Sequence, residues 1–141
     1  MPLPVTGFTA AICAFLLVLT AIDTVRNRMR SGVPFGFGGQ LKLARASRSH
    51  ANLAEHAPIT ILMLGWLEYV GANHRFLMFF GAVFLVGRVL HIIGIYMHGN
   101  SSAPLPRLFG VVLTWLTMVG LALWILKLLL PPYLKHYGLM A

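Results

Sequence analysis

Four apolar runs, near 5–22, 51–70, 76–97 and 108–130, constrain this chain more than any single motif does. Each holds close to the ~20 residues that an α-helix needs to cross ~30 Å of hydrocarbon, and a helix satisfies its own backbone polar groups where water is absent. A chain of 141 residues that is 58% hydrophobic and 10% charged is too apolar for a water-soluble domain. The reading is an all-α integral membrane protein, one four-helix membrane domain over 1–141 with helices near 5–30, 44–71, 76–98 and 106–130. The first run has no basic leader and no small-residue cleavage site before Asp23, so it reads as a retained helix rather than a signal peptide.

Charge follows the same logic. Eleven Lys and Arg against three acids give a formal charge of +8, which in a soluble chain would raise nucleic-acid binding. Here the basic residues stand at helix ends and connections, where they orient the helices and attract anionic membrane lipid, so no nucleic-acid partner is expected. Arg26, Arg28, Arg30, Lys42 and Arg45 crowd the first connection, while the second has little beyond His74 and Arg75. By the positive-inside rule the first and third connections face the cytoplasm and both termini face the other side. The Gly-rich stretch over 31–39 lacks the GKS or GKT ending of a phosphate loop and reads as a turn-forming connection. Cys13 has no second cysteine to pair with and reads as a packing residue of the first helix.

The second helix opens with a polar stripe. Arg48, Asn52 and Glu55 fall at i, i+4 and i+7 and therefore share one helix face. The stripe covers about 10 Å of axis, roughly the reach of an extended tripeptide. A zwitterionic peptide fits it, with Arg48 on a carboxylate, Asn52 on a backbone amide and Glu55 on an ammonium. Ionisable groups at the edge of hydrocarbon are expensive and suggest function by default. Pro58 removes the hydrogen bond to the carbonyl of Ala54 and is expected to kink the helix beside this stripe.

Helix three carries Arg88, His91 and His98 along one side, with Gly87 and Gly94 beside them to admit a neighbouring helix. A buried arginine must find an anion or a set of carbonyls. Glu55 and Glu68 are the only acids within the spans, so either Arg88 locks onto Glu55 or positive charge is left over for a ligand. Pro104 and Pro106 place Arg107 in the first turn of helix four. The six histidines lack the i, i+4 pairing of a helical zinc site, and no metal is expected.

Taken together, Arg48-x-His50-x-Asn52-x-x-Glu55-x-x-Pro58, Gly87-Arg88-Val89-Leu90-His91 and Ala103-Pro104-Leu105-Pro106-Arg107 resemble, in order, segments of the MAPEG family, the membrane-associated proteins in eicosanoid and glutathione metabolism. Its microsomal glutathione transferases and prostaglandin E synthase are of similar length. The short chain and simple connections look like a bacterial member of the inner membrane. The resemblance implies a homotrimer with glutathione as co-substrate, bound between protomers near the cytoplasmic face. Arg48, Asn52 and Glu55 would then bind glutathione, His50 would support that helix end, and Arg88 and His91 would contribute from the adjoining chain. Arg26 or Arg28 would reach a glutathione carboxylate, and Arg107 would be the catalytic group that stabilises the thiolate. One departure stands out: Ile95 occupies the place of a family tyrosine one turn beyond His91, with Tyr96 next to it.

The implied chemistry is attack by an arginine-stabilised thiolate on a lipophilic electrophile or a hydroperoxide, as transferase, peroxidase or both. A non-catalytic binding or assembly protein of the same fold is the alternative. A small multidrug-type transporter fits less well, because the first helix has Asp23 at its end and no acid midway.

Overall fold

The computed structural model describes residues 2–97 and 104–137, and every regular element among them is an α-helix. Helix α1 (Pro4–Ser31) starts with proline in its first turn, where the missing N–H costs nothing. It ends at Gly32, whose φ of 65° gives the left-handed cap that a residue with a Cβ adopts only under strain. Helix α2 (Leu41–Tyr69) contains Pro58 and passes through a short turn into α3 (His74–Tyr96), which the Asn73 side chain caps by accepting from the Arg75 N–H at 3.0 Å. Helix α4 (Leu105–His136) continues through Pro131 and Pro132 instead of stopping near 130. The proline φ suits a helix, and only the two carbonyls one turn earlier lose their donors.

α1, α3 and α4 are each long and apolar enough to cross a membrane. α2 is less apolar because of its stripe, but at 1.5 Å per residue its 29 residues extend about 44 Å, longer than the hydrocarbon. The outer surface suits lipid, with Phe15, Leu19, Leu62, Phe79 and Leu116 exposed. Inside, Cys13, Leu53, Ala57 and Phe84 form one buried cluster, and Leu64, Leu67, Leu77 and Leu121 form a second.

The most extensive seams join α3 to α4 and α1 to α2. Small residues set the first of these. A Cβ at Gly94 would stand 2.7 Å from the Cα of Arg107, and one at Gly110 would stand 2.6 Å from the backbone N of His91. Backbone therefore lies against backbone here, the close approach that small residues permit between apolar helices. The expectation for Gly87 and Gly94 holds, and α4 is the helix they admit.

The opposite end of the bundle is tied by Glu68, which is 5% exposed. Its carboxylate accepts from the backbone N–H groups of Val5 at 2.9 Å and Thr6 at 2.8 Å, and His74 Nδ1 lies 3.4 Å away. A carboxylate at a helix N-terminus satisfies orphan donors and meets the positive end of the helix dipole. Glu68 is thus consumed as the cap of α1 and leaves the pool of acids available to the basic residues.

Candidate functional site

The stripe on α2 divides into an anchored centre and two free ends. Asn52 accepts a hydrogen bond from Arg88 Nη1 through its Oδ1 at 2.7 Å. Arginine only donates, so the carboxamide oxygen must face it, and the Nδ2 group is the end left for another partner. Arg48 and Glu55 are exposed and have no hydrogen-bond or ion-pair partner among the described residues.

Arg88 is 2% exposed and crosses from α3 to two helices at once. Besides Asn52, its Nη2 donates to the carbonyl of Gly110 at 3.2 Å and to the hydroxyl of Thr114, and its guanidinium lies 5.7 Å from the centroid of Phe84. Thr114 in turn donates to the Gly110 carbonyl at 2.8 Å, while Arg88 Nε has no partner among the described residues. The expected lock between Arg88 and Glu55 does not form. Arg88 Nη1 and Nη2 are engaged within their own protomer, on Asn52 of α2 and on Gly110 and Thr114 of α4. Its partners are neutral oxygens, which disperse its charge without cancelling it.

His91, one turn along α3, is 3% exposed, and Arg88, Arg107 and His56 are the charged or chargeable groups that act on it. Arg107 sits exposed in the first turn of α4, its N–H on the Pro104 carbonyl at 3.0 Å and its backbone against Gly94. His98, expected beside these groups, lies outside the described residues. His50 turns toward α1, where its Nδ1 meets the Thr20 hydroxyl at 3.1 Å, so it ties α2 to α1 at the level of the stripe. The two arginines of α1 differ. Arg26 is exposed, whereas Arg28 Nη1 reaches the carbonyls of Val33, Pro34 and Gly36 at 3.1 to 3.3 Å and organises the glycine-rich connection.

Three contributors escaped the reading of the residues. Gly110 and Thr114 complete the Arg88 network, and their i, i+4 spacing of small residues in an apolar helix is the signal that marks such a face. His56 spends Nδ1 on the Asn52 carbonyl at 2.7 Å, which leaves Nε2 as its outer nitrogen. The structure also separates Tyr96 from His91: its hydroxyl donates to Asp23 of α1, while Ile95, 6% exposed, fills the place one turn past His91.

The sequence profile of the MAPEG family matches residues 6–127, a span that includes the stripe, the Arg88 network and Arg107. Two relatives, each described as inner membrane protein YecN, come from Escherichia coli strain K12 and Escherichia coli O6:H1. Each is 34% identical over 128 residues, which covers 85% of this chain and 91% of the relative. The profile match, the relatives of nearly the same extent and the four-helix architecture agree: this chain belongs to the MAPEG family of membrane proteins, which includes glutathione-related enzymes.

Proposed function

We propose that this protein is a glutathione-dependent enzyme of a bacterial inner membrane, a transferase or peroxidase that directs a glutathione thiolate at a lipophilic electrophile or hydroperoxide. The observation that carries the reading is the state of the stripe. Its charged ends, Arg48 and Glu55, are exposed without a partner among the described residues, while Arg88 holds its centre in one orientation. A zwitterionic tripeptide supplies what each position lacks. Arg48 takes a carboxylate, Asn52 Nδ2 donates to a peptide carbonyl, and Glu55 accepts from the ammonium. Because Asn52 is preset, less freedom is lost when the ligand binds.

The charged ends of the stripe face away from the protomer's own core, so the reading takes their remaining wall from a neighbouring copy and includes a closed homotrimer. The basic first connection supports placing that end of the bundle in the cytoplasm, and the description of the relatives supports the inner membrane. Arg107 supplies a permanent charge at a helix N-terminus, the environment that favours thiolate over thiol. In transfer, the thiolate sulfur bonds to an electrophilic carbon while the leaving group departs with its electron pair. In reduction of a hydroperoxide, two glutathione molecules become the disulfide, and the products are an alcohol and water.

Ile95 favours a second reading, a binding protein without turnover, because it puts an apolar side chain where the family resemblance expects a tyrosine hydroxyl. Thermal unfolding of the detergent-purified protein tests the main reading first. Glutathione at a hundred times its dissociation constant should stabilise it by about 2.7 kcal/mol, with glycine or glutamate at equal concentration inert. Arg107→Ala should then keep glutathione affinity within about threefold, since Arg107 acts on the thiolate rather than on the peptide. It should abolish the thiolate absorbance of the bound ligand and the turnover of a chlorinated nitrobenzene. Absent stabilisation defeats the site, and stabilisation without turnover in the native protein establishes the binding-only reading.

A further inference from the structure

A second polar recess opens where α1 ends and α2 begins, apart from the stripe. Asp23, Asn27 and Arg30 of α1, Lys42 and Arg45 of α2, and Tyr96 of α3 enclose about 350 Å³. A smaller hollow of about 200 Å³ borders it and shares Asn27, Arg30 and Lys42. Small-molecule sites begin near this size.

Its one acid is already occupied. Asp23 accepts from the Tyr96 hydroxyl through Oδ2 and from Asn27 Nδ2 through Oδ1 at 3.1 Å. Arg30 and Lys42 have no partner among the described residues. The recess therefore presents cationic side chains whose nearest carboxylate is turned to other donors, which is a setting for a small, multiply charged anion.

The surroundings say where that anion comes from. Met29, Phe35, Leu41 and Met97 project at the same end of the bundle and are 79%, 89%, 51% and 64% exposed. Exposed aromatic and apolar side chains beside basic ones at a helix end mark the membrane–water boundary, where a lipid offers phosphate and acyl chain together. We infer that the Asp23–Arg30–Lys42–Tyr96 recess binds the phosphate-bearing headgroup of an anionic phospholipid, with Arg30 and Lys42 on the phosphate and the acyl chains lying over Met29 and Met97. Tyr96 shapes the floor through Asp23 and holds α3 against α1 beneath the headgroup.

Native mass spectrometry of the purified protein titrated with phosphatidylglycerol, and separately with phosphatidylcholine, tests this. Phosphatidylglycerol should bind in preference. Arg30→Gln with Lys42→Gln should weaken it about thirtyfold, the effect of removing two basic groups at an anionic headgroup. The pair Arg75→Gln with Lys127→Gln removes the same charge elsewhere and should stay within about threefold of the native protein. Equal losses in the two pairs would reduce the effect to net charge and overturn the site. Saturation by soluble glycerol phosphate at the same concentration would overturn the assignment to lipid. Displacement of the lipid by glutathione would also overturn it, by merging the recess with the stripe. Retained glutathione binding in the Arg30, Lys42 variant keeps the test independent of the proposed enzyme activity.

Discussion

The two halves of α2 treat a glutamate in opposite ways. Near its C-terminal end Glu68 is buried, takes two backbone N–H groups from α1 and closes the bundle. In its N-terminal half Glu55 stands exposed beside Arg48, with no partner among the described residues. Helix and residue type are shared, and both positions border apolar sequence, so the difference lies in what the neighbouring helices present. One acid meets unpaired helix donors that would otherwise be orphaned. The other meets no partner among the described residues of its own protomer, and a charge kept at the edge of hydrocarbon is expected to serve a ligand.

The comparison breaks most visibly at Glu68. Glu68→Ala should lower unfolding stability by about 3 kcal/mol, since two charge-assisted hydrogen bonds are lost and their donors are left part-buried. Urea or thermal unfolding in mild detergent measures this, and glutathione affinity of the folded fraction should not change. An undiminished midpoint would show that water replaces the cap without cost.

Gly94→Ala probes the seam that carries Arg107 rather than either acid. The new Cβ would press on the Arg107 backbone N and stand 2.7 Å from its Cα, a contact relieved only by moving α4. A loss of about 2 kcal/mol is expected, the usual cost of overpacking, together with reduced thiolate signal. Unchanged stability would mean that the α3–α4 seam has slack.

Glu55→Gln should invert the Glu68 result. Unfolding stability should stay within about 0.5 kcal/mol, as for exposed substitutions away from structural partners, while glutathione binding weakens about tenfold through loss of the charge on one hydrogen bond. Calorimetry and thermal unfolding read the two quantities separately. A folding defect with unchanged affinity would make Glu55 a structural residue like Glu68 and erase the contrast between the two halves.

The smallest effect belongs to Tyr96→Phe. Its hydroxyl reaches Asp23 from a half-exposed position, so its removal should cost about 0.5 kcal/mol and leave glutathione binding intact. A tenfold loss of glutathione affinity would bring Tyr96 into the site despite its bond to Asp23.

Much of the architecture was legible in the residues. The apolar runs and the prolines at the start of α4 mark helices whose geometry is set within a few residues. The stripe was legible for the same reason, because i, i+4 and i+7 spacing is a property of one helix. Partner choice was not. Arg88 takes Asn52 instead of Glu55, and Glu68 takes the first N–H groups of α1, with His74 beside it. Arg28 turns to three loop carbonyls. The first two outcomes depend on distances between helices, and the third on how the connection after α1 folds back over its end, none of which helical spacing encodes.

By itself, then, the sequence determined an apolar four-helix chain, the face on which Arg48, Asn52 and Glu55 align, and the small residues that let helices touch. The tertiary structure alone decided which of those charges are consumed and which stay open. Backbone hydrogen bonding and side-chain periodicity are local, whereas a buried charge settles on whichever oxygens or N–H groups the packed helices bring within about 3 Å.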